Sequence, residues 1–150
     1  MTNAIPDGYH SLTTTLVVDR GREAIEFYER AFGAEVHTRL TAGEKIVFAA
    51  LRIGDSLVTL CDEMPGHGLA APDPDGPAPS FVTIYCEDAD ALHARAIEAG
   101  ATENTPVTDQ VHGDRAGSLR CPFGHRWAVA THVEDLGEEQ MQRRIDQWTD

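Results

Sequence analysis

The residues best suited to chemistry gather in a few short runs. The densest is VHGDRAG, which brings His112, Asp114 and Arg115 close together. An aspartate beside an arginine could clamp an anionic or amide ligand, or could be an internal pair that fixes a loop. His125 and His37 could act as acid–base groups, since a neutral imidazole titrates near pH ~6.5. His67, in the turn GHG, could touch a ligand or be an ordinary polar loop residue. The three cysteines are odd in number and form no CxxC pair, so neither a disulfide framework nor a zinc knuckle is indicated. Cys86, inside an apolar strand-like run, reads as a small core residue, and Cys61 and Cys121 as the more accessible thiols.

Composition narrows the partners. Twenty-five acids against twelve Lys and Arg give a formal charge of −13, which repels phosphate backbones and anionic headgroups. Nucleic-acid and membrane-surface roles are therefore disfavoured. The 150 residues match one ordinary domain with a core of its own, and no apolar run approaches the ~18 residues of a membrane span. The start MTNAIPDGYH lacks the basic and apolar regions of a signal peptide, which makes a cytoplasmic location the expectation.

The elements that must position these groups come in two copies. Thr13 to Val36 and Ser80 to Asn104 each carry an alternating β-type run, an acidic turn, an amphipathic helix and a terminating glycine. In the first, Ala24, Phe27, Tyr28 and Ala31 form the helical stripe and Gly33 closes it. In the second, Asp88 caps the start, Ala89, Leu92, Ala96 and Ala99 form the stripe, and Gly100 ends it. Three extended segments follow each helix: 35–40, 45–53 and 57–62 in the first half, then 103–107, 115–120 and 126–132 in the second. The expected fold is α+β: paired βαβββ modules over about 9–62 and 80–133. Between them lies a linker, 63–79, and the stretch 62–80 holds five of the eight prolines. The tail, about 134–150, reads as a further helix with Met141, Ile145 and Trp148 on one stripe, resting on the domain or on a second subunit.

Strand parity sorts the faces. Leu12, Leu16 and Val18 should pack on the helices, leaving Thr13, Thr15 and Val17 opposite. Likewise Val82, Ile84 and Cys86 face the helices, and Phe81, Thr83 and Tyr85 face a cleft. Leu57, Thr59 and Cys61 join the cleft from the fourth strand, and Arg126, Ala128 and Ala130 from the eighth. Such a wall offers rings that stack on a flat ligand and hydroxyls that hydrogen-bond to it, or else Phe81 simply fills the space. Trp127, on the opposite face, belongs to the core.

The paired units, with AIEFYERAFGAEV in the first helix and CPFGHRWAVATHVED at the last strand, resemble the vicinal oxygen chelate superfamily of glyoxalases, dioxygenases and bleomycin resistance proteins. The likeness covers residues 9–145. HGDRAGSLRCPFGHRW and THVEDLGEEQMQRR look most like its PhnB-like branch. The resemblance implies a cupped sheet, often in a homodimer, with ligand chemistry on the concave face. Metal-dependent members place His, Gln or Glu at four strand positions that fall here on Thr13, about Thr59, Phe81 and Ala128. None can replace an imidazole or carboxylate donor. The expectation is a metal-free, cofactor-free homodimer holding an aromatic or natural-product ligand, with drug sequestration as one use. Its binding residues would be Thr13, Thr15, Leu57, Thr59, Phe81 and Thr83, together with Tyr85, Asp114, Arg115, Arg126 and Ala128. The alternative is a lyase, isomerase or oxygenase of the same superfamily, either metal-dependent through His37, His67, His112 or His125, or metal-free.

Overall fold

The computed structural model describes residues 1–148. The first module runs β1 (Thr15–Val18), α1 (Gly21–Phe32), β2 (Glu35–Ala42), β3 (Lys45–Ile53) and β4 (Ser56–Asp62). The second runs β5 (Phe81–Tyr85), α2 (Ala89–Ala99), β6 (Thr102–Asp109), β7 (Asp114–Arg120) and β8 (Arg126–His132). Each makes a four-stranded sheet of the same order, β1-β4-β3-β2 and β5-β8-β7-β6, with the first strand parallel to the last and the other pairs antiparallel. The α+β fold of paired βαβββ modules is thus the observed one.

Helix α1 lies against β3, β4 and α2, and α2 lies against β6, β7 and β8. The core is continuous through this layer. Aromatic rings of α1 reach into the second module: Phe32 stands 4.9 Å and Tyr28 5.3 Å from Trp127, and Phe27 stands 6.1 Å from Phe123. The Tyr28 hydroxyl and the Cys121 thiol are 3.3 Å apart inside this cluster, and burial pushes the Tyr28 phenol well up.

The two helices start differently. At α1 no side chain of the Arg20 cap position serves the free amides, and Asp62 at the end of β4 does so instead. Its carboxylate accepts from Gly21 N–H (2.8 Å) and Ile46 N–H (2.7 Å), tying helix, sheet and the β2–β3 turn together in a buried setting. Residue 21 must be glycine, because a Cβ there would stand 2.7 Å from the Ile46 side chain and 2.8 Å from Asp62. At α2 the expected local cap is present, with Asp88 accepting from Ala91 N–H at 3.0 Å.

Several expectations need correction. Leu12 precedes β1 and is exposed rather than packed on the helices. The stripe of α2 is buried at Ala89, His93 and Ala96, while Leu92 and Ala99 are only partly covered. His93 is held by Glu103 at 2.9 Å, so a titratable group sits where an apolar one was expected. Cys61 and Cys121 are buried and Cys86 is the least covered thiol, the reverse of the expected order. Cys121 lies in the turn between β7 and β8, but that turn is folded onto Tyr28. The linker holds a 3-10 turn, Pro65–His67, and a bridge between Met64 and Leu69. Arg120 pins it by donating to the carbonyls of Asp73 (2.8 Å) and Gly76 and to that of Gly124 (2.9 Å).

The tail helix α3 spans Glu138–Asp146, shorter than expected, and the last two residues of the expected helix lie outside the described ones. Val133 and Glu134 instead lie outside any helix, their amides both donating to the Gly113 carbonyl at 3.0 and 3.1 Å. Ile145 and Trp148 are exposed on α3 and just beyond it. No helix among the described residues is long and apolar enough to cross a membrane.

Candidate ligand-binding site

Each sheet has one face against the helices and one turned away, and the two outer faces differ. On the first sheet Leu57 (7% exposed), Thr59 (5%) and Cys61 are buried. The N-terminal segment crosses this face: Gly8, at φ +85°, approaches Leu57 so closely that a Cβ would lie 3.2 Å from its Cδ1. Thr59 is also tied into β1, with its hydroxyl 2.6 Å from that of Thr15 and donating at 3.4 Å to the Thr14 carbonyl. The threonines expected to greet a ligand hydrogen-bond to their own sheet.

On the second sheet the outer face is open. Phe81 is 59% and Tyr85 63% exposed, with Thr83 exposed between them. Register explains the grouping, since parallel pairing sets Phe81 beside Arg126, Thr83 beside Ala128 and Tyr85 beside Ala130. The antiparallel ladder then sets Ala128 beside Ser118, Ala130 beside Ala116 and His132 beside Asp114. These rows line a concavity of about 300 Å³. Its floor is small (Ala116, Ala128, Ala130), its rim carries the rings, and its ends are polar.

At one end the Arg126 guanidinium lies 5.6 Å from the centre of the Phe81 ring. It makes only a long, 3.4 Å hydrogen bond to Ser118, and its Nε–H is buried without a partner. Among the described residues Arg126 forms no ion pair.

At the other end Asp114, 4% exposed, is the hub of a network. Tyr85 donates its hydroxyl proton to Asp114 Oδ2 at 2.6 Å, and His132 Nδ1–H donates to Oδ1 at 2.8 Å. The other His132 nitrogen faces Asp135 at 2.7 Å, and His112 Nδ1 lies 3.5 Å from Oδ2. Burial pushes the Asp114 carboxyl up, but the hydrogen bonds from Tyr85 and His132 and the neighbouring imidazoles outweigh it, so the acid is held below its ordinary range. The hydrogen bonds to Asp114 and Asp135 raise His132, and the bond to Asp114 raises the Tyr85 phenol. His132 and Asp135 were not singled out from the sequence, although parity continues the Arg126, Ala128, Ala130 face directly to His132.

Arg115 belongs elsewhere. It follows Asp114 on a strand, so it points to the opposite face, where it donates to Asp90 at 2.7 and 3.0 Å and to Asp109 at 3.3 Å. Asp114 and Arg115 thus neither face one ligand together nor pair with each other, and Arg115 ties α2 to the sheet. Thr13 lies before β1 and is exposed. The site residues thus divide: Phe81, Thr83, Tyr85, Asp114, Arg126 and Ala128 come together, Thr15 meets Arg126 in a separate hollow walled by the linker, and Thr13, Leu57, Thr59 and Arg115 do not join them.

The chain also fails to assemble a metal-binding donor set at the positions the fold suggests. Thr59 pairs with Thr15 rather than Thr13, and Ala128 with Thr83. No register choice brings in a carboxylate or imidazole there. Among the described residues no three His, Cys, Asp or Glu side chains converge to hold an ion. His125, half-buried, donates instead to the Val17 carbonyl at 2.8 Å, and burial lowers its pKa.

Comparison with known proteins agrees with this architecture. A Mycobacterium bovis protein of uncharacterized role is 37% identical over 136 residues, 88% of this chain and 90% of the relative. The crystal structure of TioX from Micromonospora sp. ML1 superposes with a TM-score of 0.66 at 24% identity, covering 83% of this chain and 99% of that one. An Arabidopsis thaliana gene product superposes at 0.65 with 25% identity, covering 81% and 98%. The family model of the Glyoxalase/Bleomycin resistance protein/Dioxygenase superfamily matches residues 10–129. With its paired βαβββ modules and matching sequence, the chain belongs to that superfamily, the vicinal oxygen chelate proteins.

Proposed function

We propose that the protein is a small-molecule-binding member of its superfamily, of the PhnB-like branch, and that it captures a flat aromatic ligand, such as a natural product or drug, on the outer face of the second sheet without a metal ion. The observation that carries this reading is the exposure of Phe81 and Tyr85 above a floor of alanines. Two large rings held by a rigid strand and left more than half in water cost free energy unless something covers them in use. Small residues beneath them leave room for a planar guest.

One wall does not enclose a ligand. Pockets for small molecules bury roughly 70–90% of the guest, and the open face supplies one side only. A second copy of the chain would supply the other, so the working form is a homodimer. Sedimentation at micromolar concentration tests this, and a monomer in the presence of saturating ligand would contradict it.

The donor chemistry of the site motivates the metal-free reading. Fluorescence titrations with aromatic and peptide antibiotics, run with chelator and again with Ni²⁺, Zn²⁺ or Fe²⁺, are expected to give binding that metal does not change. Strict dependence on one stoichiometric ion would overturn it. The Tyr85–Asp114–His132 network favours a second reading, a metal-free proton-transfer enzyme of the lyase or isomerase type. In that case turnover would vanish in Tyr85→Phe while ligand capture persisted.

A further inference from the structure

The two ends of the open wall differ in what they offer a guest. A phenol has one proton to give, and that of Tyr85 is committed to Asp114 at 2.6 Å. A carboxylate fixes it there, because Asp114 is ionised, buried and acceptor-only, and already receives His132 at 2.8 Å. What Tyr85 presents to the concavity is therefore the lone pairs of Oη, enriched by the charge behind them. At that end the Tyr85 hydroxyl accepts hydrogen bonds and does not donate them to a guest.

The opposite end does the reverse. Arg126 has only donors, no carboxylate within ion-pair reach among the described residues, one long bond to Ser118 and a buried Nε–H without a partner. The guanidinium carbon stands 5.6 Å from the centre of the Phe81 ring, within cation–π reach. Four strand steps separate Phe81 from Tyr85, about 13 Å of β-strand, and the floor between is Ala128 and Ala130.

We infer that the wall selects amphoteric ligands: a planar body about 10 Å long with an N–H or ammonium donor at the Tyr85 end and a carboxylate or carbonyl acceptor at the Arg126 end. The inference rests on the proposed capture of a flat guest and adds its polarity. Neutral or singly charged aromatics fit the same floor but leave one end unanswered, and an unpaired polar group in a covered site is costly.

The test is a ladder on one frame. Calorimetry compares 6-(aminomethyl)-2-naphthoate, which carries both groups, with 2-naphthoate, 2-(aminomethyl)naphthalene and naphthalene itself. The doubly substituted probe should bind tightest, each loss of a charged end weakening it about tenfold, the size of one charge-assisted hydrogen bond. Tyr85→Phe should remove the advantage of the ammonium and leave that of the carboxylate, and Arg126→Gln the converse. Equal binding by all four overturns the inference while keeping the reading of a planar guest. Binding by none overturns both. Should a variant fold poorly, as read by circular dichroism, the ladder on the unaltered protein still decides.

Discussion

The two modules share strand order and helix placement, yet the outer face of the first is covered at its central strand β4, whereas that of the second carries large exposed rings on its edge strand β5. In the first, Leu57, Thr59 and Cys61 are buried, and the segment around Gly8 crosses over Leu57. In the second, Phe81, Thr83 and Tyr85 stand in solvent above alanines. The helices repeat the contrast, since α1 is capped from across the module by buried Asp62 and α2 by its own exposed Asp88. The polar groups of the first module satisfy one another, while Arg126 in the second keeps a donor unpaired.

Three measurements would break or sharpen that contrast. Trp127 is a fully buried side chain among those through which the second module meets α1, so Trp127→Ala should cost about 3–5 kcal/mol in denaturant unfolding. A cost near zero would mean that the modules do not depend on each other. The caps come next. Asp62→Ala orphans two buried amides and should cost about 2–4 kcal/mol, whereas Asp88→Ala should cost about 1 kcal/mol. Equal costs would erase the asymmetry between the modules.

The smallest effect is the response to pH. The folded pKa of His132 is raised by Asp114 and Asp135, so its contribution is complete below the unfolded value of about 6.5 and is lost as pH rises through the folded value. Asp114 runs oppositely: its folded pKa is depressed, so its contribution is present above the unfolded value of about 3.9 and is lost as pH falls through the folded one. Melting temperature should fall slightly from pH 6 to pH 8, less so in Asp135→Asn. An imidazole proton of His132 titrating below the ordinary histidine range by NMR would contradict this.

Much of the fold was legible because both periodicities are strong. The stripe Ala24, Phe27, Tyr28, Ala31 and the alternation of FVTIYC locate a helix and a strand without help. Parity also placed Phe81, Thr83, Tyr85 and Ala128 on one face, and Trp127 in the core. The same rule separates Asp114 from Arg115, but their adjacency in VHGDRAG suggested a clamp that strand geometry forbids. Other features depend on residues far apart in sequence and leave no local trace. The N-terminal segment over Leu57, the reach of Asp62 to Gly21 and the hold of Arg120 on the linker are of this kind. Burial of Cys121 is of the same kind, since its turn is folded onto Tyr28.

The central claim is that the guest sits on the second sheet and not the first. Methyl NMR of the protein titrated with 6-(aminomethyl)-2-naphthoate tests it directly, because the alanine floor and the closed face carry distinct methyl groups. Binding on the second sheet requires the largest shifts at Ala116, Ala128 and Ala130, with Leu57 and Ala50, the β3 partner of Thr59 on the first sheet, unmoved. Shifts concentrated on Ala50 and Leu57, or on the Ile145 methyls of α3, would contradict it.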